Sequence, residues 1–469
     1  MKLLSKDLFQ ISQHKYLRFD CKYWNTQERM HFFEYVCIKD IFQIISGSVQ
    51  TKHYTNEMTD FPYVRIGDIT YKYGVVKNDI TYLDSSEDIS SERILKKGDL
   101  ILATIGATVG KIGLADSVVG GTHSNNTVIL RPKTNLNMYF YEKLLQTNMY
   151  MQYVFGVVSQ KAQPNLQLYD LENIKIPIVN DNIIDKVVSI TIPIEERIKE
   201  LQKSIKDESN IINKIFTEEF SFDYAYFNEL KQDKNFSRCV SSFANDPDLR
   251  FSAKFHRNAG SFVLKQLTSI TEKKIKHFLS EPIVLGASVS PGDYAEDGTY
   301  KYISMATIKN WCFDSESANT VSNDYAESKK TKTVKKDDII MARSGEGTIG
   351  KVALITDDEI DGIFADFTMR IRLKDYNPEF AYYYFRTEYF QYLIEIYKKG
   401  LGNNTNIFPI VMQEFPLIDI SLEEQQRIVD EIHSEISKQD EIRKEISELR
   451  LQIDQIIENA IKEGESKWI

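Results

Sequence analysis

GDLILATIGATVGKIGL at residues 98–114 and DDIIMARSGEGTIGKVAL at residues 337–354 are two versions of one pattern. Each is an apolar run, then a glycine-rich polar loop that closes on Gly-Lys, then a second apolar run. Short apolar runs bounded by glycine favour β-strands joined by a tight turn. The pattern therefore predicts a strand–loop–strand unit that occurs twice in the chain.

The sequence around the two stretches repeats in the same order. RFDCKY at 18–23 returns as RFSAKF at 250–255, and IID at 183–185 returns as IVD at 428–430. The offset between the copies grows slowly along the chain, which is what small loop insertions produce in a duplicated unit. A period of roughly 240 residues is too long for a solenoid repeat. We expect one module, a domain followed by a helix, used twice.

The composition of the 469-residue chain allows large cores, and its 26 Tyr and 26 Phe suit strand-rich domains. The four cysteines are far apart and form no CxxC pair, which argues against a disulfide framework or a zinc site. No uncharged apolar run reaches the length of a membrane span or signal peptide. We expect a cytoplasmic protein with no membrane partner.

The net charge of −10 does not exclude a polyanionic partner, because the acidic residues are localised. Residues 181–220 and 421–469 carry nine of the ten net negative charges, and the remainder is close to neutral. Mixed charge on helices is usually a solvated face. The distribution of charge therefore neither requires a polyanionic partner nor rules one out.

Both acidic segments have the pattern of long helices. In the second, Ser421 is suited to be the N-cap, and no Gly or Pro interrupts residues 421–460. In the first, Pro193 should kink or restart the helix. Apolar residues spaced by three and four form a narrow seam in each, which favours packing of the two helices on each other as a coiled coil. Packing of each helix on its own domain is the alternative. The expected seam residues are Ile198, Leu201, Ile205, Ile432, Ile436, Leu449, Ile453 and Ile456.

The rest of the chain predicts two mixed α/β domains. Domain 1 is expected over residues 1–180, the first helix over 181–220, domain 2 over 221–420 with a connector at 221–255, and the second helix over 421–469. Each domain has short strand patterns, then aromatic helical stretches, a polar loop and a proline-containing exit strand.

The Gly-Lys loops match a phosphate-binding loop only in part. A Walker A motif needs GxxxxGK followed by Ser or Thr and a helix. Val352 follows Lys351, Ile105 replaces the first glycine in copy one, and Glu346 would repel phosphate. A tight turn in which glycine supplies positive φ fits better, and an enzyme that binds a nucleotide here is the weaker alternative.

The sequence contains no HExxH, no GxSxG and no metal-ligand spacing, so we predict no catalytic residue, metal or cofactor.

Because no catalytic motif is found, the sequence favours a binding function. Basic clusters that include Arg131, Arg370 and Arg372 suit DNA phosphates, and Asn, Gln, Arg or Lys on loops suit base edges. Plain turn chemistry and solvated surface charge are the alternative. The candidate DNA-binding residues of domain 1 are Lys52, Arg65, Lys72, Thr104, Thr108, Lys111, His123, Asn125, Gln160, Lys161 and Gln163. Those of domain 2 are Lys309, Lys332, Arg343, Ser344, Thr348, Lys351, Asn403 and Asn404.

These patterns resemble the specificity (S) subunit of type I restriction–modification systems. The two glycine–lysine stretches resemble the loops of that family, and LENIKIP at 171–177 and SLEEQQRIV at 421–429 resemble its exit strand and helix start. The match spans essentially the whole chain. The first helix departs from it, with DNIID at 181–185 and Pro193 within the helix.

The resemblance implies a non-catalytic subunit without a cofactor. Its two target-recognition domains would each read one half of a bipartite site in double-stranded DNA. Its two helices would form an antiparallel coiled coil that sets the spacing and docks two DNA-methyltransferase (M) subunits, and motor-nuclease (R) subunits would complete the complex.

Two further expectations follow from the residues. A helix of about 35 residues is about 50 Å long, and domains at its opposite ends would read half-sites about 15 bp apart. The two domains also differ where they correspond: Arg65 aligns with Ser304, and 107–108 aligns with 346–348. The target should therefore be asymmetric. A coiled-coil adaptor whose two domains bind protein partners is the alternative function.

Overall fold

A computed structural model describes residues 14–15, 21–29, 34–48, 54–55, 57–70, 80–84, 89–158, 164–233, 235–239, 241, 252–357, 360–400 and 404–466. The chain divides into two compact units. Unit 1 comprises Met1–Ser204 and Arg443–Ile469, and unit 2 comprises Ile205–Ile442. Each unit therefore combines an α/β domain with part of the helical segments.

The described residues of unit 1 form two four-stranded sheets and one further pair of strands. Its strands are β1 (Tyr35–Cys37), β2 (Phe42–Ser46), β3 (Tyr54–Thr55), β4 (Pro62–Val64), β5 (Thr81–Leu83), β6 (Leu100–Ala103), β7 (Ile112–Leu114), β8 (Thr122–His123), β9 (Thr127–Pro132) and β10 (Lys175–Pro177). One sheet has the order β2-β9-β6-β7 and is antiparallel throughout. The other has the order β3-β5-β4-β8, in which β4 and β8 are parallel. The exit strand β10 pairs with β1.

The helices of unit 1 follow the sheets and are capped by side chains. They are α1 (Cys21–Arg29), α2 (Ile38–Ile41), α3 (Met138–Gln146), α4 (Asn148–Val157), α5 (Leu168–Glu172) and α6 (Asp181–Ser204). Asn137 accepts from the Phe140 amide to cap α3, and Thr147 accepts from the Tyr150 amide to cap α4. Thr147 therefore both ends α3 and begins α4, and α3 packs on β7, where the Gln146 side chain donates to the Ile112 carbonyl at 3.1 Å.

Unit 2 repeats this topology. Its strands are β11 (Val284–Leu285), β12 (Tyr300–Ile303), β13 (Ile308–Lys309), β14 (Cys312–Phe313), β15 (Thr320–Val321), β16 (Ile339–Ala342), β17 (Val352–Leu354), β18 (Gly362–Phe364) and β19 (Thr368–Ile371). The antiparallel sheet has the order β11-β19-β16-β17, and in the second sheet, β15-β12-β18, strands β12 and β18 are parallel. The predicted class, two duplicated mixed α/β domains, is confirmed.

The helices of unit 2 enclose an aromatic core. They are α7 (Glu208–Phe220), α8 (Tyr224–Gln232), α9 (Asn258–Ile270), α10 (Asn323–Ser328), α11 (Pro378–Arg386), α12 (Glu388–Tyr397) and α13 (Pro409–Met412). Asn377 and Thr387 cap α11 and α12 as Asn137 and Thr147 cap their counterparts. The Phe216 ring of α7 lies 5.3 Å from the Phe380 ring of α11, centroid to centroid, so the helical segment is part of the domain core.

The last helix, α14 (Leu422–Ser466), runs for 45 residues without interruption, as predicted. Ser421 caps it reciprocally: its hydroxyl accepts from the Glu424 amide, and the Glu424 carboxylate accepts from the Ser421 amide, each at 3.2 Å. The part of α14 up to Ile442 belongs to unit 2, and the part from Arg443 onward belongs to unit 1.

Within unit 2, α14 packs antiparallel to α7. The Lys206 amide donates to the Gln439 side chain at 2.8 Å, whereas Arg427 donates to Glu219 at 3.0 Å, so residue numbers rise along one segment as they fall along the other. Ile432 is fully buried in the same core as Ile212. The helices of unit 2 therefore pack both on each other and on their own domain. Both packing arrangements considered from the sequence occur together.

Within unit 1, α6 contacts the C-terminal part of α14 through Arg197 and Glu445, 3.0 Å apart. Ile198, Leu201 and Ile453 of the predicted seam are buried. Ile457, not Ile456, is the fully buried isoleucine of its turn. The other predicted seam residues, Ile205, Ile436 and Leu449, are half-buried.

The expected restart at Pro193 was wrong. Helix α6 continues through Pro193, and the helical segment instead breaks at residues 205–207. Proline removes the hydrogen bond to the carbonyl four residues earlier. Pro193 and Ser189 are both exposed, so water can satisfy that carbonyl and the helix tolerates the proline.

Candidate nucleic-acid interface

The Gly-Lys loops are tight turns between paired strands. Gly110 (φ +88°) joins β6 to β7 and donates to the Ala103 carbonyl at 2.9 Å, and Gly350 (φ +85°) makes the same bond to Ala342 at 2.8 Å. A Cβ atom on Gly110 would lie 3.0 Å from the Met151 side chain. The glycines are therefore required by backbone conformation and close packing, which confirms their predicted structural role.

In unit 1 the Gly-Lys loop gathers two other loops around it. The Gly106 amide donates to Pro164 at 2.8 Å, the Leu166 amide donates to Thr104 at 2.8 Å, and the Thr104 amide donates to Asn126 at 3.0 Å. We call the resulting surface loop junction 1 and define it as residues 104–110, 124–126 and 164–166. It joins loops that are far apart in sequence.

The corresponding loops of unit 2 meet through equivalent bonds. The Gly345 amide donates to Thr405 at 3.2 Å, the Ile407 amide to Arg343 at 2.9 Å, and the Arg343 amide to Phe367 at 3.0 Å. We define loop junction 2 as residues 343–350, 365–367 and 405–407. In each unit, three loops that are far apart in sequence therefore meet at one surface.

The side chains at equivalent backbone positions differ. Thr104 corresponds to Arg343, and Asn126 corresponds to Phe367, whose ring is 46% exposed. At the neighbouring 3-10 turn, Arg65 occupies the cap position that Ser304 occupies in unit 2, and its amide bonds to Asp68 as the Ser304 amide bonds to Thr307. The two junctions share a backbone and present different chemistry.

Two of the candidate DNA-binding residues of unit 1 are buried, which corrects the prediction for them. His123 is fully buried in β8, where its Nδ1 lies 2.9 Å from the Thr127 hydroxyl, and burial lowers its pKa to about 4. The Thr104 hydroxyl donates to the Asn126 carbonyl at 3.0 Å. Their side chains are therefore not available to a ligand, because each faces the protein interior.

The remaining candidates of unit 1 divide by exposure. Arg65 and Asn125 are exposed, whereas Lys111 and Thr108 are half-buried at the turn. The Thr108 hydroxyl donates to the Ile105 carbonyl at 3.2 Å, which makes it part of the turn. Lys52, Lys72, Gln160, Lys161 and Gln163 lie outside the described residues.

In unit 2, Ser344 is buried and the Thr348 hydroxyl donates to its carbonyl at 2.7 Å, so neither side chain is directed outward. The Lys332 ammonium donates to the Leu285 carbonyl at 2.8 Å, and Lys309 pairs with Asp314 at 2.7 Å. These contacts correct the prediction for Ser344, Thr348 and Lys332. Lys309 and Asn404 are exposed, Arg343 and Lys351 are half-buried, and Asn403 lies outside the described residues.

The arginines of the predicted basic clusters have structural roles. Arg131 forms a double hydrogen bond to the buried Asp99 (2.7 and 2.9 Å), and Arg372 forms the same pair with the buried Asp338 (2.6 and 2.7 Å). Arg370 pairs with Glu281 at 2.5 Å. Because these guanidinium groups are committed to carboxylates, they are not free to bind phosphate.

Two residues of junction 2 are missed by sequence reasoning: Asp366 and Phe367. The loop at 122–126 stands out in copy one because it is rich in polar side chains, but its counterpart at 363–367 contains no Asn or Gln. The counterpart loop can be found in the sequence from the offset between the two copies of the repeat.

Two further features are absent from the described residues. No helix there is long and apolar enough to cross a membrane. No group of three or more His, Cys, Asp or Glu in the described ranges is arranged to hold a metal ion.

A model of the type I restriction modification DNA specificity domain matches residues 30–215 and 283–450, one match in each copy of the repeat. No curated protein matches the chain.

Three solved structures match the chain. A chain from a study of complex assembly and conformational transition of the type I R-M system is 14% identical over 91% of this chain and 97% of that one, with a TM-score of 0.50. The type I restriction–modification S subunit from M. genitalium is 16% identical over 91% and 95%, with a TM-score of 0.43. The HsdS subunit from Thermoanaerobacter tengcongensis is 14% identical over 91% and 96%, with a TM-score of 0.35.

The family match covers most of the chain and falls on both copies of a duplicated fold. This chain therefore belongs to the family of type I restriction–modification DNA specificity subunits.

Proposed function

We propose that each unit reads one half of an asymmetric bipartite site in double-stranded DNA, using its loop junction. The observation that carries this proposal is the pair of junctions with matching backbone bonds and different side chains at matching positions. A shared scaffold presents both surfaces in the same way, while side chains determine which base edges each can bind. Two unlike junctions read two unlike half-sites.

In this proposal the helical segments fix the spacing between the half-sites and dock two methyltransferase (M) subunits. The support is α14, one continuous helix of 45 residues that contributes to both units. Its outward face is charged, as expected of a surface that meets solvent or a partner rather than a core.

The chain itself contributes recognition and no catalytic group. Methyl transfer belongs to the M subunits, and translocation and cleavage belong to the motor-nuclease (R) subunits. At the two junctions the hydroxyls of Thr104 and Thr348 are used in structural hydrogen bonds rather than in a catalytic arrangement, which suits this division of roles.

Salt dependence of DNA binding by the chain in complex with its methyltransferase subunits tests the proposal against the protein-binding adaptor. We expect the logarithm of the affinity for duplex DNA to fall linearly with the logarithm of salt concentration, with a slope of about −0.9 per phosphate contact. We also expect selection from random duplexes to recover two short conserved blocks separated by a gap of fixed length. Absence of duplex binding by an intact complex would favour the adaptor.

A further inference from the structure

Arg343 differs from Arg131, Arg370 and Arg372 in the acceptors that its guanidinium contacts. Its Nε donates to the Asp366 carbonyl at 2.9 Å, and its Nη1 donates to the Asn406 side-chain oxygen at 3.0 Å. The Phe367 ring lies 5.8 Å from the guanidinium carbon. All these partners are uncharged, so the guanidinium is fixed in place without a direct ion pair.

The main chain of Arg343 is fixed as well. Its amide donates to Phe367 at 3.0 Å, and its carbonyl accepts from Ile407 at 2.9 Å, so the residue is bonded to both other loops of junction 2. Among the described residues, no carboxylate pairs with it and none accepts from Nη2. Arg131 and Arg372, by contrast, are committed to buried aspartates. Arg343 is therefore a preorganised donor with capacity left for a ligand.

We propose that Arg343 is the base-reading residue of unit 2 and donates from its two terminal nitrogens to O6 and N7 of a guanine in the major groove. This inference rests on the proposed function and adds a base identity to one of its two half-sites. Guanine is the base whose major-groove edge carries two adjacent acceptors, which match the fork of a guanidinium.

The charges around Arg343 favour a base edge over a phosphate. The half-exposed Glu346 carboxylate lies at the tip of the same loop and pairs with Lys398 at 3.2 Å. The Asp366 carboxylate is in the adjoining loop and accepts from the Ser288 hydroxyl at 2.8 Å. The negative charge of these two carboxylates at junction 2 would oppose a phosphate, whereas the edge of a base carries no net charge.

At the matching position, the described part of unit 1 has no equivalent group. Thr104 takes the place of Arg343, and its hydroxyl is turned inward to the Asn126 carbonyl. The guanine contact is therefore expected in one half-site only, the one that unit 2 reads.

The test uses the full chain co-produced with its methyltransferase subunits. The methylated motif is first mapped for the wild-type complex by long-read sequencing. Binding of the purified complex is then measured on duplexes in which each base pair of the motif is exchanged in turn. The variants are Arg343→Ala, Arg343→Lys and Asn406→Ala, with Lys265→Ala as the control, because Lys265 is an exposed cation on α9.

We expect Arg343→Ala to reduce discrimination at one G·C pair roughly ten- to hundredfold and to leave the other half-site unchanged. Arg343→Lys keeps the charge but loses the fork, so it should retain affinity and still lose that discrimination. Asn406→Ala should relax the same position more weakly, because Asn406 only orients the guanidinium. Lys265→Ala should keep the wild-type motif.

Three results would overturn the inference while leaving the proposed function intact. Arg343→Ala could weaken binding to all sequences equally, as a phosphate contact does. It could change both half-sites, or Arg343→Lys could retain full discrimination. A contiguous motif in the wild-type complex would instead contradict the proposed function. Thermal unfolding of each variant separates lost recognition from lost folding.

Discussion

Loop junctions 1 and 2 form the clearest comparison within the molecule. Three backbone hydrogen bonds between loops distant in sequence are the same in both, and Thr104 in unit 1 and Arg343 in unit 2 each take part in two of them. The side chains at those positions are a buried threonine and a half-buried, charged arginine. The bonds that shape the surface use only the main chain, so side chains can diverge without altering the fold. A duplicated domain can acquire a second specificity in this way.

The contacts between domain and helical segment show divergence of a different kind. In unit 1, Lys143 of α3 pairs with Glu195 of α6 at 3.0 Å, and burial raises the pKa of the adjacent Glu142 carboxyl. In unit 2, Arg386 of α11 pairs with Glu208 of α7 at 2.9 Å and lies against the rings of Tyr382 and Trp311. Both units join a cation of the first capped helix to a glutamate of the helical segment, with different neighbours.

The largest expected effect tests what the two units share. Asp99→Ala and Asp338→Ala each remove a buried carboxylate that holds an arginine and also accepts a backbone amide at 2.8 Å. Each variant removes a buried carboxylate and leaves a half-buried guanidinium without its aspartate partner, so we expect a loss of about 3 kcal/mol in unfolding free energy. Urea or thermal denaturation measures it, with the exposed Asp297→Ala as the control. A large loss in one unit and none in the other would break the equivalence of the two scaffolds.

The second prediction uses a position where the units differ. His123 in β8 pairs with Val64 as Phe364 in β18 pairs with Ile303. Because the pKa of His123 is lowered to about 4 in the folded chain, the unfolded chain binds the proton more readily. The stabilisation from its neutral form is complete above about pH 6.5 and is lost as the pH falls towards 4, by about 3 kcal/mol at most.

His123→Phe, which installs the unit 2 residue, should remove this part of the acid sensitivity. The measurement is the denaturation midpoint of wild type and variant between pH 7.5 and pH 4. As the pH falls, the midpoint of the wild type should decrease more than that of the variant. A difference between the two midpoints that stays constant would show that His123 is not buried in its neutral form.

Smaller effects are expected at the turns. Gly110→Ala and Gly350→Ala place a Cβ at positive φ, 3.0 Å from Met151 and 2.7 Å from the Gln391 side chain respectively. We expect each to lower the unfolding free energy by about 2 kcal/mol. Gly67→Ala and Gly292→Ala are matched controls, because a Cβ there meets no atom within 4 Å. Equal effects in test and control variants would argue against the constrained turns.

The smallest effects belong to the exposed ion pairs between helices. Arg197→Ala in unit 1 and Arg427→Ala in unit 2 each remove one such pair, with the arginine about half exposed. Solvent and salt screen these charges, so we expect less than about 1 kcal/mol and a smaller difference at high salt. Thermal unfolding at two salt concentrations measures it. A loss as large as that of the glycine variants would mean that these pairs hold the helices together.

Features that depend on local pattern could be predicted from the sequence. Strands β6 and β16, the turns at Gly110 and Gly350 and the uninterrupted α14 follow from apolar runs, glycine spacing and the absence of helix breakers. The duplicated architecture follows from the repeat, because two copies of one sequence pattern adopt one fold.

Features that depend on distant partners could not be predicted in the same way. Whether an arginine meets DNA or a buried aspartate depends on strand pairing, which brings Arg131 to Asp99 across 32 residues. His123 belongs to a polar stretch of sequence, but it lies beside Val64 in a parallel pair and is covered. Pro193 has the pattern of a helix break, but its exposure, which lets water replace the missing bond, is a tertiary property.

The central claim is that two similar scaffolds read two different DNA half-sites. Long-read methylome mapping of cells that co-express the chain with its methyltransferase subunits tests it most directly. The account predicts methylation at an asymmetric motif of two unlike blocks separated by a gap of fixed length. A single contiguous motif, a palindrome, or an unmodified genome despite a stable complex would contradict it.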